Sequence, residues 1–166
     1  MKGLLPFAFL AGLAAYWVIR LLRSPRPKYM PLQISPEDPL MQDATEKARA
    51  GLARFRELLA GGHGAAAVKF PLATGSGNTE HVWADVLEQE NDRVKVRVIT
   101  PPVSHSGQLE RVYTKSLDEI EDWQVSFPDG KIEGGYTMRV MFKRGREQWG
   151  KLPPDLEALE KKYGAA

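Results

Sequence analysis

The sequence predicts an α+β domain carried behind a membrane anchor. Three observations predict it. An apolar stripe at helical spacing opens the central part of the chain, several short runs of period-two apolar residues follow, and uncharged apolar residues fill the N-terminus. The expected order is a helix, four or five short antiparallel strands, then a C-terminal helical segment. The sheet is expected to be flat or curled into a small, partly open barrel.

Composition narrows the function classes. The chain has 166 residues, 43% of them hydrophobic and 27% charged, which suits one folded domain. It has no cysteine, which excludes disulfide scaffolds, thiol catalysis and cysteine-ligated metal sites. The net charge is +2, with Lys2, Arg20, Arg23, Arg26 and Lys28 all in the first 28 residues and no acid among them. The rest is slightly acidic, so nothing favours nucleic-acid binding by the folded part.

Gly3 to Ile19 is a run of 17 residues without a charge. As a helix it covers about 25 Å. Leu21 and Leu22, with Arg20 snorkelling, bring it near the roughly 30 Å hydrocarbon core. Residues 3–22 are therefore expected to engage the bilayer, within an anchor over 1–23. The competing reading is a cleaved export signal with small residues from Gly12 to Ala15, but the apolar run continues past them through Trp17 to Leu22. Arg20, Arg23, Arg26 and Lys28 outnumber the charges before the run, so the domain is expected on the cytoplasmic side of a bacterial inner membrane.

Residues 24–38 hold Pro25, Pro27, Pro31 and Pro36 and read as an extended linker. The domain is then expected over 39–150, with a polar helix in 151–166. Asp38-Pro39 is a helix start, an N-cap followed by proline at N1. Met41, Ala44, Ala48, Leu52, Phe55 and Leu59 form one stripe on a single helix that Gly61-Gly62 ends. Glu46, Lys47, Arg49, Arg54, Arg56 and Glu57 lie off the stripe.

Strands are expected over 67–72, 80–88, 93–99, 109–114 and 122–127, with a hairpin around Asn91-Asp92 and a turn at Pro128-Asp129-Gly130. Val82, Ala84 and Val86 share one face with Val94, Val96 and Val98. His81, Trp83, Asp85, Lys95 and Arg97 face the other way. Gly134-Gly135 permits a sharp reversal, after which a helix is expected to begin near Thr137 with that threonine as its cap. Tyr136, Val140 and Met141 then share a face. A last helix follows Pro153-Pro154.

Few patterns carry recognisable chemistry. Thr74 to Asn78 lacks the Gly-Lys-Ser/Thr ending of a phosphate loop. His63, His81 and His105 have no metal-ligand partner at helical spacing, so no metal and no cofactor is expected. Ser104-His105-Ser106 does not define a nucleophile and base, and Asp118, Glu119, Glu121 and Asp122 read as turn and strand-edge charges.

Polar residues set among aromatic ones do stand out: Glu80-His81-Val82-Trp83, Glu121-Asp122-Trp123, and Glu133-Gly134-Gly135-Tyr136-Thr137-Met138-Arg139. Two readings stay open for them. Trp83 and Trp123 are core residues with hydrogen-bonded indoles, Asp122 accepts from amides at the glycine turn, and Arg139 pairs with a carboxylate. Alternatively they form a concave site with aromatic walls and convergent polar groups.

In order, these three clusters resemble the bacterial domain-of-unknown-function family 2314, the YegJ-like proteins. The alanine-rich first helix, here Ala44 to Leu59, and the strand Val68-Lys69-Phe70 are similar too. The resemblance covers residues 40–145 and implies no established activity, catalytic residue or ligand. The Gly-Asp pair of many members is replaced by Gly107-Gln108-Leu109-Glu110, so no role for that aspartate carries over.

The reading that follows is a single-pass, membrane-tethered, non-enzymatic module for a protein or peptide partner. Its surface would be the sheet face of His81, Trp83, Lys95 and Arg97 with the Gly134–Arg139 corner. The alternative is a small-molecule-binding or hydrolytic domain with one pocket around Trp83, Asp122, Trp123, Tyr136 and Arg139. A third reading is a structural subunit of an envelope complex.

Overall fold

The computed structural model describes residues 29–73, 77, 79–99 and 111–164. Two compact units divide the chain between Pro31 and Leu32, and the architecture below is that of the second, residues 32–166. The expected anchor over 1–23, the start of the linker, and the Ser104–Ser106 and 107–110 segments lie outside the described residues, as does most of the Thr74–Asn78 loop. Among the described residues no helix is long and apolar enough to cross a membrane.

The unit is α+β. Its elements are α1 (Pro39–Ala50), α2 (Leu52–Ala60), β1 (Ala65–Ala73), β2 (Thr79–Glu90), β3 (Arg93–Val98), β4 (Val112–Ser116), β5 (Asp122–Ser126), β6 (Ile132–Gly134), α3 (Tyr136–Trp149) and α4 (Pro154–Glu160). One six-stranded antiparallel sheet runs in the order β4-β3-β2-β1-β5-β6. The sheet stays open with β4 and β6 as its edges, so it does not curl into a barrel. β6 is the strand that period-two patterning misses, because three residues carry too little alternation.

Asp38 starts α1 as expected, its Oδ1 accepting from the Leu40 amide at 2.9 Å. The single helix expected over the apolar stripe is broken at Gly51. A Cβ there would sit 3.0 Å from Trp123 Cζ2 and 3.2 Å from the Tyr136 hydroxyl, so the junction is glycine because a tryptophan lies against it. The break turns Leu58, rather than Leu59, into the fully buried leucine of α2.

The main core joins one sheet face to the helices. Val68, Phe70, Val82, Ala84, Val94, Val96, Trp123 and Val125 pack against Ala48, Phe55 and Leu58. The hairpin residues share the faces the alternation assigns, with one irregularity at Leu87 that shifts the register between Val86 and Glu88. A smaller core forms from Ile132, Phe142, Leu152 and Tyr163, and a third from Met41, Ala44 and Val140 with Ile34 against them. Residues 152 and 163 bracket α4, so the C-terminal segment is anchored at both ends. The Ile132 amide also donates to the Lys162 carbonyl at 2.7 Å.

Candidate functional site

The Gly134-Gly135 reversal is built by contact. Both glycines have positive φ, +85° and +65°. A Cβ on Gly134 would collide with the Trp123 carbonyl oxygen, and one on Gly135 with the Tyr163 ring. Within this turn the Gly135 amide donates to the Trp123 carbonyl at 2.7 Å. Only glycine tolerates both the dihedral and the space.

The turn aims the start of α3 at Asp122. Its Oδ1 accepts from the Trp123 and Tyr136 amides at 2.8 and 3.1 Å. Its Oδ2 accepts from the Thr137 amide at 2.7 Å and the Thr137 hydroxyl at 2.6 Å. The helix begins at Tyr136, and its cap is this aspartate from β5. Thr137 was expected to be the cap; it sits inside the first turn and donates instead. Burial pushes the Asp122 carboxyl above the ordinary carboxylate range, while the Thr137 hydroxyl and the amides pull the other way.

Trp123 is 1% exposed and Asp122 fully buried. The indole Nε1 donates to the Ala48 carbonyl at 2.9 Å, stacks on Phe55 at 5.1 Å and meets Tyr136 edge-on at 5.9 Å. Neither Asp122 nor Trp123 offers surface to a ligand. The single pocket joining Trp83, Asp122, Trp123, Tyr136 and Arg139 is therefore not formed. Arg139 donates from Nη1 to the Gly164 carbonyl at 2.6 Å and lies over the Tyr163 ring at 5.7 Å, in place of the expected carboxylate partner.

The remaining cluster residues divide between two cavities. Gly134, Tyr136 and Arg139 line one of about 720 Å³, shared with α1 and β6. His81, Trp83 and Thr137 line the other, of about 680 Å³. In this second cavity the sheet face of His81 and Trp83 meets Thr137 and Met138 of α3, whereas Gly134 and Arg139 of the expected corner line the other cavity. Glu80 is paired in register with Leu72, on the opposite face. Lys95 and Arg97 share the Trp83 face but are held by Glu88 and Asp85, at 3.3 and 3.7 Å, away from the cavity.

The floor of this groove follows from strand register. Lys69 on β1 stands opposite Trp83 on one side and Asp122 on the other, so all three share a face. His81 is two residues before Trp83 and joins them. The Glu121 amide donates to the Lys69 carbonyl at 2.8 Å, and Glu121 Oε2 lies 2.6 Å from His81 Nδ1, which sets the ring's orientation. Met138 and Met141 of α3, Met41 and Arg49 of α1, and Leu32 and Ile34 before α1 form the walls.

Lys69 enters the sequence reading only within the family-like strand Val68-Lys69-Phe70 and not as a site residue. Among the described residues its ammonium has no hydrogen-bond or ion-pair partner. Burial lowers its pKa below the ordinary lysine value, and the negative charges of Glu121 and Asp122 oppose that shift. The signal was present in the sequence: Lys69 is the one charge within the apolar run from Ala65 to Ala73.

The Asp-Trp strand, the glycine turn and the helix after it form one interlocked unit, and a family model matches across all of them. It is described as "Uncharacterized protein conserved in bacteria (DUF2314)" and covers residues 38–150. The chain belongs to the DUF2314 family. No curated protein and no solved structure matches it. The matched DUF2314 span runs from the α1 cap to the end of α3 and so includes every strand of the sheet.

Proposed function

We propose that this chain is a single-pass, membrane-anchored module whose domain binds a peptide segment of a protein partner in the Trp83 groove. The observation that carries the binding reading is the groove's make-up. Met41, Met138 and Met141 line it with Ile34 and the Trp83 ring, beside the polar groups of Lys69 and His81. Methionine side chains are flexible and polarisable, so they adapt to differing apolar side chains. A tryptophan presents a large rigid wall, and the polar groups fix the orientation of what binds.

The anchor rests on the uncharged run from Gly3 to Ile19 and on the flanking arginines. A cytoplasmic domain at an inner membrane is the orientation those charges favour. A reporter active only outside the cytoplasm, fused after Ala166, is expected to stay silent; strong activity rejects the orientation.

Site-specific photo-crosslinking in living cells tests the binding. A crosslinker at Trp83 or Met138 is expected to capture one polypeptide that a crosslinker at Asp155 in α4, which does not line the groove, does not. Capture that is equal at all three positions, or absent from both groove positions, overturns the reading.

A further inference from the structure

We infer that the Trp83 groove recognises a carboxylate attached to an apolar body, with Lys69 as the group that receives the charge. The inference rests on the groove being a binding site and names the chemistry of what it takes.

Three observations converge. Lys69 lines the cavity and stands beside Trp83 in strand register, so charge and aromatic wall are adjacent. Its ammonium has no hydrogen-bond or ion-pair partner among the described residues. The carboxylates nearest in charge are both committed elsewhere, Glu121 to His81 and Asp122 to the start of α3.

A half-buried cation without a direct ion pair is destabilised, because burial removes water and the nearby charges of Glu121 and Asp122 offset that loss only in part. The lowered pKa of Lys69 reports the same loss of solvation. An incoming anion restores the missing interaction and displaces little, since no ion pair must be broken. Methionine and isoleucine walls then select an anion that carries apolar surface over a small hydrated one. A peptide C-terminus and a free aliphatic acid share this chemistry.

Matched ligands separate charge from shape. N-acetyl-leucine and N-acetyl-leucinamide have the same apolar body and differ in the carboxylate. Isotope-labelled full-length protein is titrated with each and followed at the Trp83 indole N–H. The acid is expected to bind saturably, and the amide at least tenfold more weakly, as fits loss of a charge-assisted hydrogen bond.

Lys69→Met is expected to abolish the difference between the two, and Lys69→Arg to keep it. Equal binding of acid and amide to the unsubstituted protein overturns the carboxylate claim but leaves the groove a binding site. If neither ligand perturbs Trp83, the inference and the groove reading both fail. 4-Methylpentanoate, which lacks the acylamide, distinguishes the sources. Binding as tight as that of N-acetyl-leucine identifies a free acid, and binding tenfold weaker identifies a peptide end.

Discussion

Asp122 and Thr137 are bound twice, through the threonine amide at 2.7 Å and its hydroxyl at 2.6 Å, both to the same carboxylate oxygen. The pair joins β5 to the first turn of α3 across 15 residues. Helix starts are normally capped by the residue just before them. Here Gly135 occupies that place and has no side chain to offer, so the cap comes from a neighbouring strand. The same tie brings Thr137 and Met138 over the sheet to close one end of the groove.

Removing that tie should loosen α3. Asp122→Ala is expected to destabilise the domain by about 2–4 kcal/mol, since it leaves buried donors unpaired at the helix start. Asp122→Asn keeps an acceptor and should cost less. Urea unfolding gives the stability change, and hydrogen exchange at Tyr136 and Thr137 localises it. Unchanged protection at those two amides in Asp122→Ala contradicts the capping role.

The glycines separate strain from collision. Gly130 has φ of +85° and open space around it, while Gly134 has the same φ with the Trp123 carbonyl in the way. Gly130→Ala is expected to cost about 1 kcal/mol, and Gly134→Ala more than about 3 kcal/mol or the loss of folding. Equal midpoints in thermal unfolding would show that the Trp123 contact does not matter.

Lys69 carries a pH signature. Its folded pKa lies below the unfolded value, so the folded state binds fewer protons. Its contribution to stability is full above the unfolded lysine pKa and is lost as pH falls through the lowered folded pKa. At neutral pH, below the unfolded lysine pKa, Lys69 therefore weakens the ligand-free fold, and Lys69→Met is expected to raise its unfolding midpoint. A lower midpoint for Lys69→Met at pH 7 would count against an unpartnered ammonium.

Tyr163 titrates late. Burial, together with the negative charge of Asp122, pushes its phenol up to about 12, with Arg139 opposing the shift. A raised folded pKa means that its stabilisation is present below pH 10 and lost as pH rises towards 12. Ultraviolet titration should show one tyrosine ionising near 12, and Tyr163→Phe should remove it. The substitution also deletes the 2.7 Å hydrogen bond to Gln124 Oε1, at a cost of about 1 kcal/mol.

The sequence by itself determined the elements whose signals are local. Asp38-Pro39 set the start of α1, period-two valines set β2 and β3 with their turn at Asn91-Asp92, and the DUF2314 motifs placed the family. It also marked Trp83 and His81 as sharing a face, because alternation along a strand is fixed by the pleat. Only the tertiary structure decided how distant segments meet. The break at Gly51 depends on where Trp123 packs, and the cap of α3 depends on β5 lying beside the glycine turn. The split of the aromatic clusters between a buried tie and an open groove depends on both. Cross-strand register alone sets Lys69 beside Trp83, since spacing in a sequence records neighbours along the chain and not across a sheet.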